Sequence, residues 1–278
     1  MIFIITALML EASPIIDHYK LKRDMSIHPF PVFRNNEISL IVSGVGKVKS
    51  AMAATFLSSK HNATGNNLLI NIGLCGARMG KYPLGSLLII NKVTDLDTGK
   101  DYYPDVFVGD GLPNESIFCC SKPVKHNHTQ YMDNLFDMES AGIMEAACKF
   151  FYAHQVALIK IVSDFLMPEN LEKLRLRDYI KCNIPTIEKI INKLGKVNSL
   201  SSSISFEEEE KIISIISENI RLSSAMKQIL NVEVKKLKRK GLMPLKVLEK
   251  HIKNNANTKP EGKKIFEQVI KDIRQDAF

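Results

Sequence analysis

Residues 68–76 read Leu-Leu-Ile-Asn-Ile-Gly-Leu-Cys-Gly, a nearly unbroken apolar run that closes on a glycine turn. A strand covered on one face alternates apolar and polar residues, whereas a strand covered on both faces reads as a continuous hydrophobic run. Leu68–Ile72 is of the second kind, and so are Ile2–Ile5, Ile38–Val42 and Val156–Val162. These four runs are expected to be buried parallel strands. A fifth, Leu87–Ile90, follows the turn signal Pro83-Leu84-Gly85. Ahead of Val156, the apolar residues Ile143, Ala146, Ala147, Phe150 and Phe151 recur at helical spacing. Strands alternating with helices predict an α/β domain with a largely parallel sheet.

The composition agrees with a globular chain. Of 278 residues, 45% are hydrophobic and 24% charged, which excludes a largely disordered chain, a collagen-like repeat and a multi-span membrane protein. The apolar stretch Met1–Leu10 is too short to cross a bilayer. It has no basic residue at its start, as a secretion signal would, and Glu11 closes it. It is expected to be a buried first strand. Cys75, Cys119, Cys120, Cys148 and Cys182 form no CxxC pair and no His–Cys cluster. Buried reduced thiols in a cytoplasmic protein are therefore expected, with no metal site and no cofactor. In that compartment the sequons at Asn62, Asn114 and Asn127 are chance matches.

The composition changes at Asn198–Ser205, which reads Asn-Ser-Leu-Ser-Ser-Ser-Ile-Ser. This predicts a domain over 1–197, a serine-rich linker over 198–205 and an all-helical extension over 206–278. Ser205 with Glu208, and Thr258 with Glu261, have capping-box spacing. Residues 199–278 hold 16 Lys and Arg against 11 Asp and Glu, much of the chain's net +8. The run Lys235, Lys236, Lys238, Arg239, Lys240 is read first as a solvated helix end. Its alternative is a docking site for nucleic acid.

In open α/β sheets, ligands bind beyond the carboxyl ends of the strands. After the first strand comes Thr6-Ala7-Leu8-Met9-Leu10-Glu11, and after the second Ser43-Gly44-Val45-Gly46-Lys47. Gly73-Leu74-Cys75-Gly76 follows the third, and Ser163-Asp164 follows Val162. Carboxylates and glycine turns thus gather at one sheet edge. Each has a plain structural reading too. Ser43–Ser50 lacks both the dinucleotide fingerprint and the Walker spacing, and can be only a tight turn. In Phe136-Asp137-Met138-Glu139-Ser140-Ala141, a carboxylate can simply complement the helix dipole. Asp164 can be only a helix cap.

Taken in order, Ser-Gly-Val-Gly-Lys-Val, Asn-Ile-Gly-Leu-Cys-Gly, Asp-Met-Glu-Ser-Ala and Ile-Val-Ser-Asp resemble the nucleoside phosphorylase/nucleosidase superfamily. The nearest branch is that of the methylthioadenosine/S-adenosylhomocysteine nucleosidases, over roughly residues 1–195. The resemblance implies a three-layer α/β/α fold around a mixed, twisted sheet, and a homodimer. It gives Glu11 the role of activating water and Asp164 that of protonating or hydrogen-bonding the purine N7. Glu139 would hold the ribose hydroxyls and Met138 would pack on the sugar. Lys160 would stand near the water and the Glu cluster, Ser163 near the base, and Gly73 in the substrate-binding turn.

Cleaving an N-glycosidic bond passes through an oxocarbenium-like sugar, which one acid, one base and a nearby carboxylate suit. A phosphorylase needs cations and hydroxyls around phosphate. The resemblance places an Arg and a Ser in the glycine turn of that branch, where this chain has Asn71 and Leu74. Glu11 would also repel phosphate, so water is the expected nucleophile. Near the purine, the family's Ser-x-Asp-x-Phe-like segment is replaced by Cys119-Cys120-Ser121-Lys122-Pro123-Val124, without the Asp or the aromatic. The expected activity is a purine-nucleoside N-ribohydrolase acting on an adenosine derivative. The alternatives are a phosphorylase or hydrolase of an unusual adenosyl compound, or a degenerate nucleoside-binding domain acting through its basic tail.

Overall fold

The computed structural model describes residues 1–60, 67–106, 111–124, 134–167, 173–202, 206–239 and 242–275. The chain forms two compact units, Met1–Ser199 and Leu200–Phe278.

The first unit runs β1 (Ile2–Thr6), α1 (Met9–Tyr19), β2 (Lys22–Arg23), β3 (Val32–Arg34), β4 (Ile38–Val42) and α2 (Lys47–Lys60). It continues with β5 (Leu68–Gly76), β6 (Leu87–Asp95), β7 (Asp101–Tyr102), β8 (Asn114–Cys119) and β9 (Leu135–Asp137). Then come α3 (Ser140–Phe150), β10 (Val156–Asp164) and α4 (Lys173–Ser202). All five apolar runs are strands. β4, β1, β5 and β10 lie side by side and parallel, as expected. The sheet is mixed, because β6 runs antiparallel to β10. Its order is β10-β6-β8-β9-β5-β1-β4-β3-β2, and β10 also pairs with β5, so that five strands close into a ring.

Strand side chains alternate between the two faces, and each face has its own helices. Phe3, Ile5, Ile41 and Leu69 pack with Ala53, Ala54 and Leu57 of α2 and with Ile143 and Met144 of α3. Ile4, Leu40, Ile70 and Ile159 pack on Ala12 and Ile15 of α1 and on Ile180, Ile187 and Ile191 of α4. This is the expected three-layer α/β/α arrangement. Burying each such Ile or Leu stabilises the fold by about 1.5–3 kcal/mol.

Three expectations are corrected. Met1–Leu10 is not one strand: the strand ends at Thr6, and Met9 opens α1, which carries Glu11. Residues 198–202, expected as linker, continue α4 as helix, and 203–205 lie outside the described residues together with the cap expected at Ser205. Cys75, Cys119 and Cys120 are buried free thiols, but Cys148 and Cys182 are exposed, on the outward faces of α3 and α4. Of the sequons, Asn114 opens β8, and Asn62 and Asn127 lie outside the described residues.

The second unit holds α5 (Glu207–Asn219), α6 (Ser224–Arg239), α7 (Pro244–His251) and α8 (Lys259–Gln275). Their apolar faces form a separate core that includes Ile213, Ile216, Ile220, Leu237, Leu248 and Val269. Half of the expected capping box forms at α8: Thr258 Oγ1 accepts the Glu261 N–H, while Glu261 accepts the N–H of Asn257 in place of that of Thr258. The basic run is largely neutralised within the unit. Lys235 pairs with Glu210, Lys236 with Glu233 and Lys238 with Glu209. Lys240 lies outside the described residues.

The α2–α3 contact fixes the geometry of the site. A Cβ at Gly142 would lie 2.0 Å from the Lys47 carbonyl oxygen, so only glycine lets α3 approach the first turn of α2. Ser50 Oγ also donates to the Glu139 carbonyl at 3.0 Å across that contact. Gly142→Ala is expected to lower stability by at least about 1–3 kcal/mol, as overpacking does, measurable by urea unfolding. A variant as stable as the wild type would contradict this packing.

Candidate active site

Glu11 sits in the first turn of α1 and is 3% exposed. Its Oε2 accepts the N–H groups of Ala7 (2.7 Å) and Leu8 (2.9 Å), and its Oε1 accepts that of Leu74 (3.0 Å). The Leu74 backbone thus helps hold Glu11 in place. Burial raises the pKa of Glu11, while these N–H groups and the charge of Lys160 oppose the rise.

The β5–β10 register sets Lys160 beside Gly73 and Asp164 beside Gly76. A Cβ at Gly73 would lie 3.3 Å from Lys160 Nζ and 3.6 Å from Glu11 Oε1, so the missing side chain leaves room for both groups. Lys160 is 1% exposed, and its Nζ is 2.8 Å from Asp137 Oδ2. Burial disfavours its charge, but Asp137, Glu139 and Glu11 outweigh this and raise its pKa.

Two carboxylates that the sequence left ambiguous separate in the structure. Asp137 is the capping group of α3, accepting the Ser140 N–H at 2.9 Å and the Ser140 hydroxyl at 2.7 Å. Glu139 does not cap that helix. Its Oε1 reaches across to accept the Gly46 N–H at 2.9 Å. Gly46 has φ 110°, in the left-handed region that favours glycine, and this aims its N–H at Glu139. Burial, then the charge of Asp137, pushes the Glu139 pKa up to about 7, against the pull of Lys160 and the Gly46 N–H.

Asp164 ends β10. Its Oδ1 accepts the Leu166 N–H at 2.8 Å and its Oδ2 lies 2.6 Å from Ser163 Oγ. A cavity of about 180 Å³ opens over these groups, with Glu11, Met138, Glu139, Ser163 and Asp164 in its walls. Gly73 and Lys160, expected to touch substrate, are not wall residues. They lie behind it, where Lys160 acts on the wall through Asp137 and Glu11.

Lys122, Pro123 and Val124 line the cavity, so the segment expected near the purine does reach it. The aromatic wall comes from another element: Phe136 of β9 lines the cavity, with the Phe118 ring 5.9 Å behind it. Asp137 and Phe136 were missed in the sequence because they sit in the same segment as Met138 and Glu139. Their one signal was the Asp-to-Ser spacing of a helix cap. Asn71, read as the replacement for a phosphate-binding Arg, is buried and donates to the Ile5 carbonyl at 3.0 Å. Among the described residues no group of three or more His, Cys, Asp or Glu side chains is set to hold a metal ion.

Residues 2–125 match the model of the phosphorylase superfamily. That match and the fold bear out the resemblance carried by the four motifs. The chain is similar in structure to a variant of the Helicobacter pylori methylthioadenosine nucleosidase with 5′-methylthioadenosine in its active site. The TM-score is 0.59 at 13% identity, over 69% of this chain and 98% of that one. An Arabidopsis thaliana 5′-methylthioadenosine nucleosidase aligns at TM-score 0.58 and 16% identity, over 69% and 95%. The H. pylori futalosine hydrolase aligns at 0.57 and 16%, over 69% and 97%. No curated protein matches the chain in sequence.

A buried carboxylate with a raised pKa is stabilising when protonated and costs stability when ionised. Between the ordinary Glu value and about 7, the folded state binds the Glu139 proton and the unfolded state releases it, so stability falls as pH rises through that window. Glu139→Gln is therefore expected to melt higher than the wild type at pH 8, with the gain shrinking toward pH 5. A variant that melts lower at pH 8 would contradict the placement of Glu139.

Proposed function

We propose that the first unit is a purine-nucleoside N-ribohydrolase acting on an adenosine derivative. The observation that carries this reading is the meeting of Glu11, Glu139 and Asp164, from three separate elements, in the walls of one cavity. The relatives of known structure, described as nucleosidases and a futalosine hydrolase, support it.

Glu11 takes a proton from water, whose oxygen bonds to the anomeric carbon. A raised pKa makes its carboxylate a stronger base toward that water. As the C–N bond breaks, its electron pair passes to the base, and Asp164 delivers a proton to N7. Ser163 orients Asp164 through their hydrogen bond. Glu139 holds the ribose hydroxyls, and its charge favours the cationic sugar of the transition state. Met138 packs on the sugar, and the Phe136 face lies against the base. Lys160 positions Glu11 and Asp137 from behind. All these groups precede residue 198.

Water is favoured over phosphate by electrostatics. Glu11, Asp137, Glu139 and Asp164 line the cavity against one cation, Lys122, while Lys160 is committed to Asp137. A phosphate dianion there would meet carboxylates at close range, and such repulsion is strong in a buried site. The expected product is free ribose at a rate indifferent to phosphate. Ribose 1-phosphate, detected by coupled assay, would reverse the assignment.

Asp164→Asn tests the acid. Asparagine Oδ1 still accepts the Leu166 N–H, so the turn is kept, while the proton is lost. Base release is expected to fall on the order of 10²–10⁴-fold. Adenine release from 5′-methylthioadenosine and related adenosyl compounds measures it, and wild-type turnover would remove Asp164 from the mechanism.

A further inference from the structure

A second cavity, of about 390 Å³, adjoins the first and shares Lys122, Pro123, Val124 and Phe136 with it. Its own walls are Leu96, Asp97, Cys120 and Ser121. It is therefore larger than the cavity over the carboxylates and divided from it only by that shared strip.

The side on which it lies is decided by packing. Phe136 and Cys120 pack in one buried cluster with Leu166, and Leu96 and Val124 lie against the same cluster. Leu166 is the residue whose N–H is held by Asp164. The second cavity thus borders the Asp164 end of the site through Phe136 and Leu166, while its Asp97 wall is tied to Lys47, next to Gly46. Its interior is apolar, made by Leu96, Val124, Phe136 and the Cys120 sulfur. Its polar residues include Asp97, which accepts from Lys47 and from Ser121. The exposed Lys122 adds a positive charge on the shared strip, and beside it the cavity offers apolar surface.

We propose that the second cavity is a specificity subsite for an apolar, ring-sized substituent carried by the leaving base, so that the substrate is a base-substituted purine nucleoside. This rests on the proposed reading of Asp164 as the group at N7. The exocyclic amine at C6 and carbon C8 lie on either side of N7, so a benzyl group at one of the two is the substituent that would reach the cavity. Apolar pockets discriminate by one methylene group at about 10–200-fold, so a seated ring gives a measurable preference.

The test compares adenosine with N6-benzyladenosine and 8-benzylaminoadenosine, in the wild type and in Ser121→Trp. Ser121 is exposed and lines only the second cavity, so tryptophan there fills the cavity without entering the first. In the wild type, kcat/KM for at least one benzyl compound is expected to exceed that for adenosine by about tenfold or more. Ser121→Trp is expected to abolish that preference while leaving adenosine turnover within about twofold. Equal or slower turnover of both benzyl compounds, or a Ser121→Trp loss shared by all three, would overturn the proposal. Calorimetric binding of the free bases separates it from the catalytic reading. A benzyl base bound about tenfold tighter than adenine, with no nucleoside cleaved, keeps the subsite and overturns the hydrolase assignment. Equal binding overturns the subsite.

Discussion

One buried ion pair organises the site. Lys160 and Asp137 meet at 2.8 Å with side chains 1% and 0% exposed. Taking two charges out of water costs several kcal/mol per ion, and only good geometry and further hydrogen bonds offset this. Asp137 has both: Ser140 gives it a backbone and a hydroxyl donor. The pair in turn ties β10 to the start of α3, and so fixes where Glu139 begins its reach toward Gly46. Because Gly73 has no side chain, the same ammonium also stands beside Glu11.

The cluster does not balance its charges. One lysine faces Glu11, Asp137 and Glu139; burial raises the pKa of both glutamates, and the charge of Asp137 adds to the rise of Glu139. Such a cavity is unfavourable for an anion and favourable for developing positive charge. In a hydrolysis that makes a cationic sugar, the electrostatic tension that weakens the fold becomes preorganised stabilisation of the transition state. The second cavity adds further volume beyond the strip that Phe136 and Val124 share with the first.

Much of the sheet was legible in the sequence because buried parallel strands write themselves as continuous apolar runs. Ile38–Val42 is β4 to the residue, and Leu68–Ile72, Leu87–Ile90 and Val156–Val162 are the first parts of longer strands. β9 has three residues and β7 two, too short for any period to show. The serine-rich stretch read as linker because serine favours turns, yet α4 carries on to Ser202. At the site, Glu11, Met138, Glu139, Ser163 and Asp164 were found through ordered motifs and do line one cavity. Position alone did not separate wall from support, since the burial of Lys160 and Gly73 depends on the β5–β10 register. The exchange of roles between Asp137 and Glu139 was equally hidden: both precede α3, and only the tertiary N–H of Gly46 tells them apart.

The dependence of the site on the Lys160–Asp137 pair is tested most directly by a double-mutant cycle in urea. Lys160→Met alone leaves Asp137 without its cation, and Asp137→Asn alone leaves Lys160 only Glu11 and Glu139; each should cost about 3–5 kcal/mol. The double variant should cost much less than the two together, because neither member of the pair is left without the other. Additive losses, or a Lys160→Met protein as stable as the wild type, would show that the pair does not hold the site together.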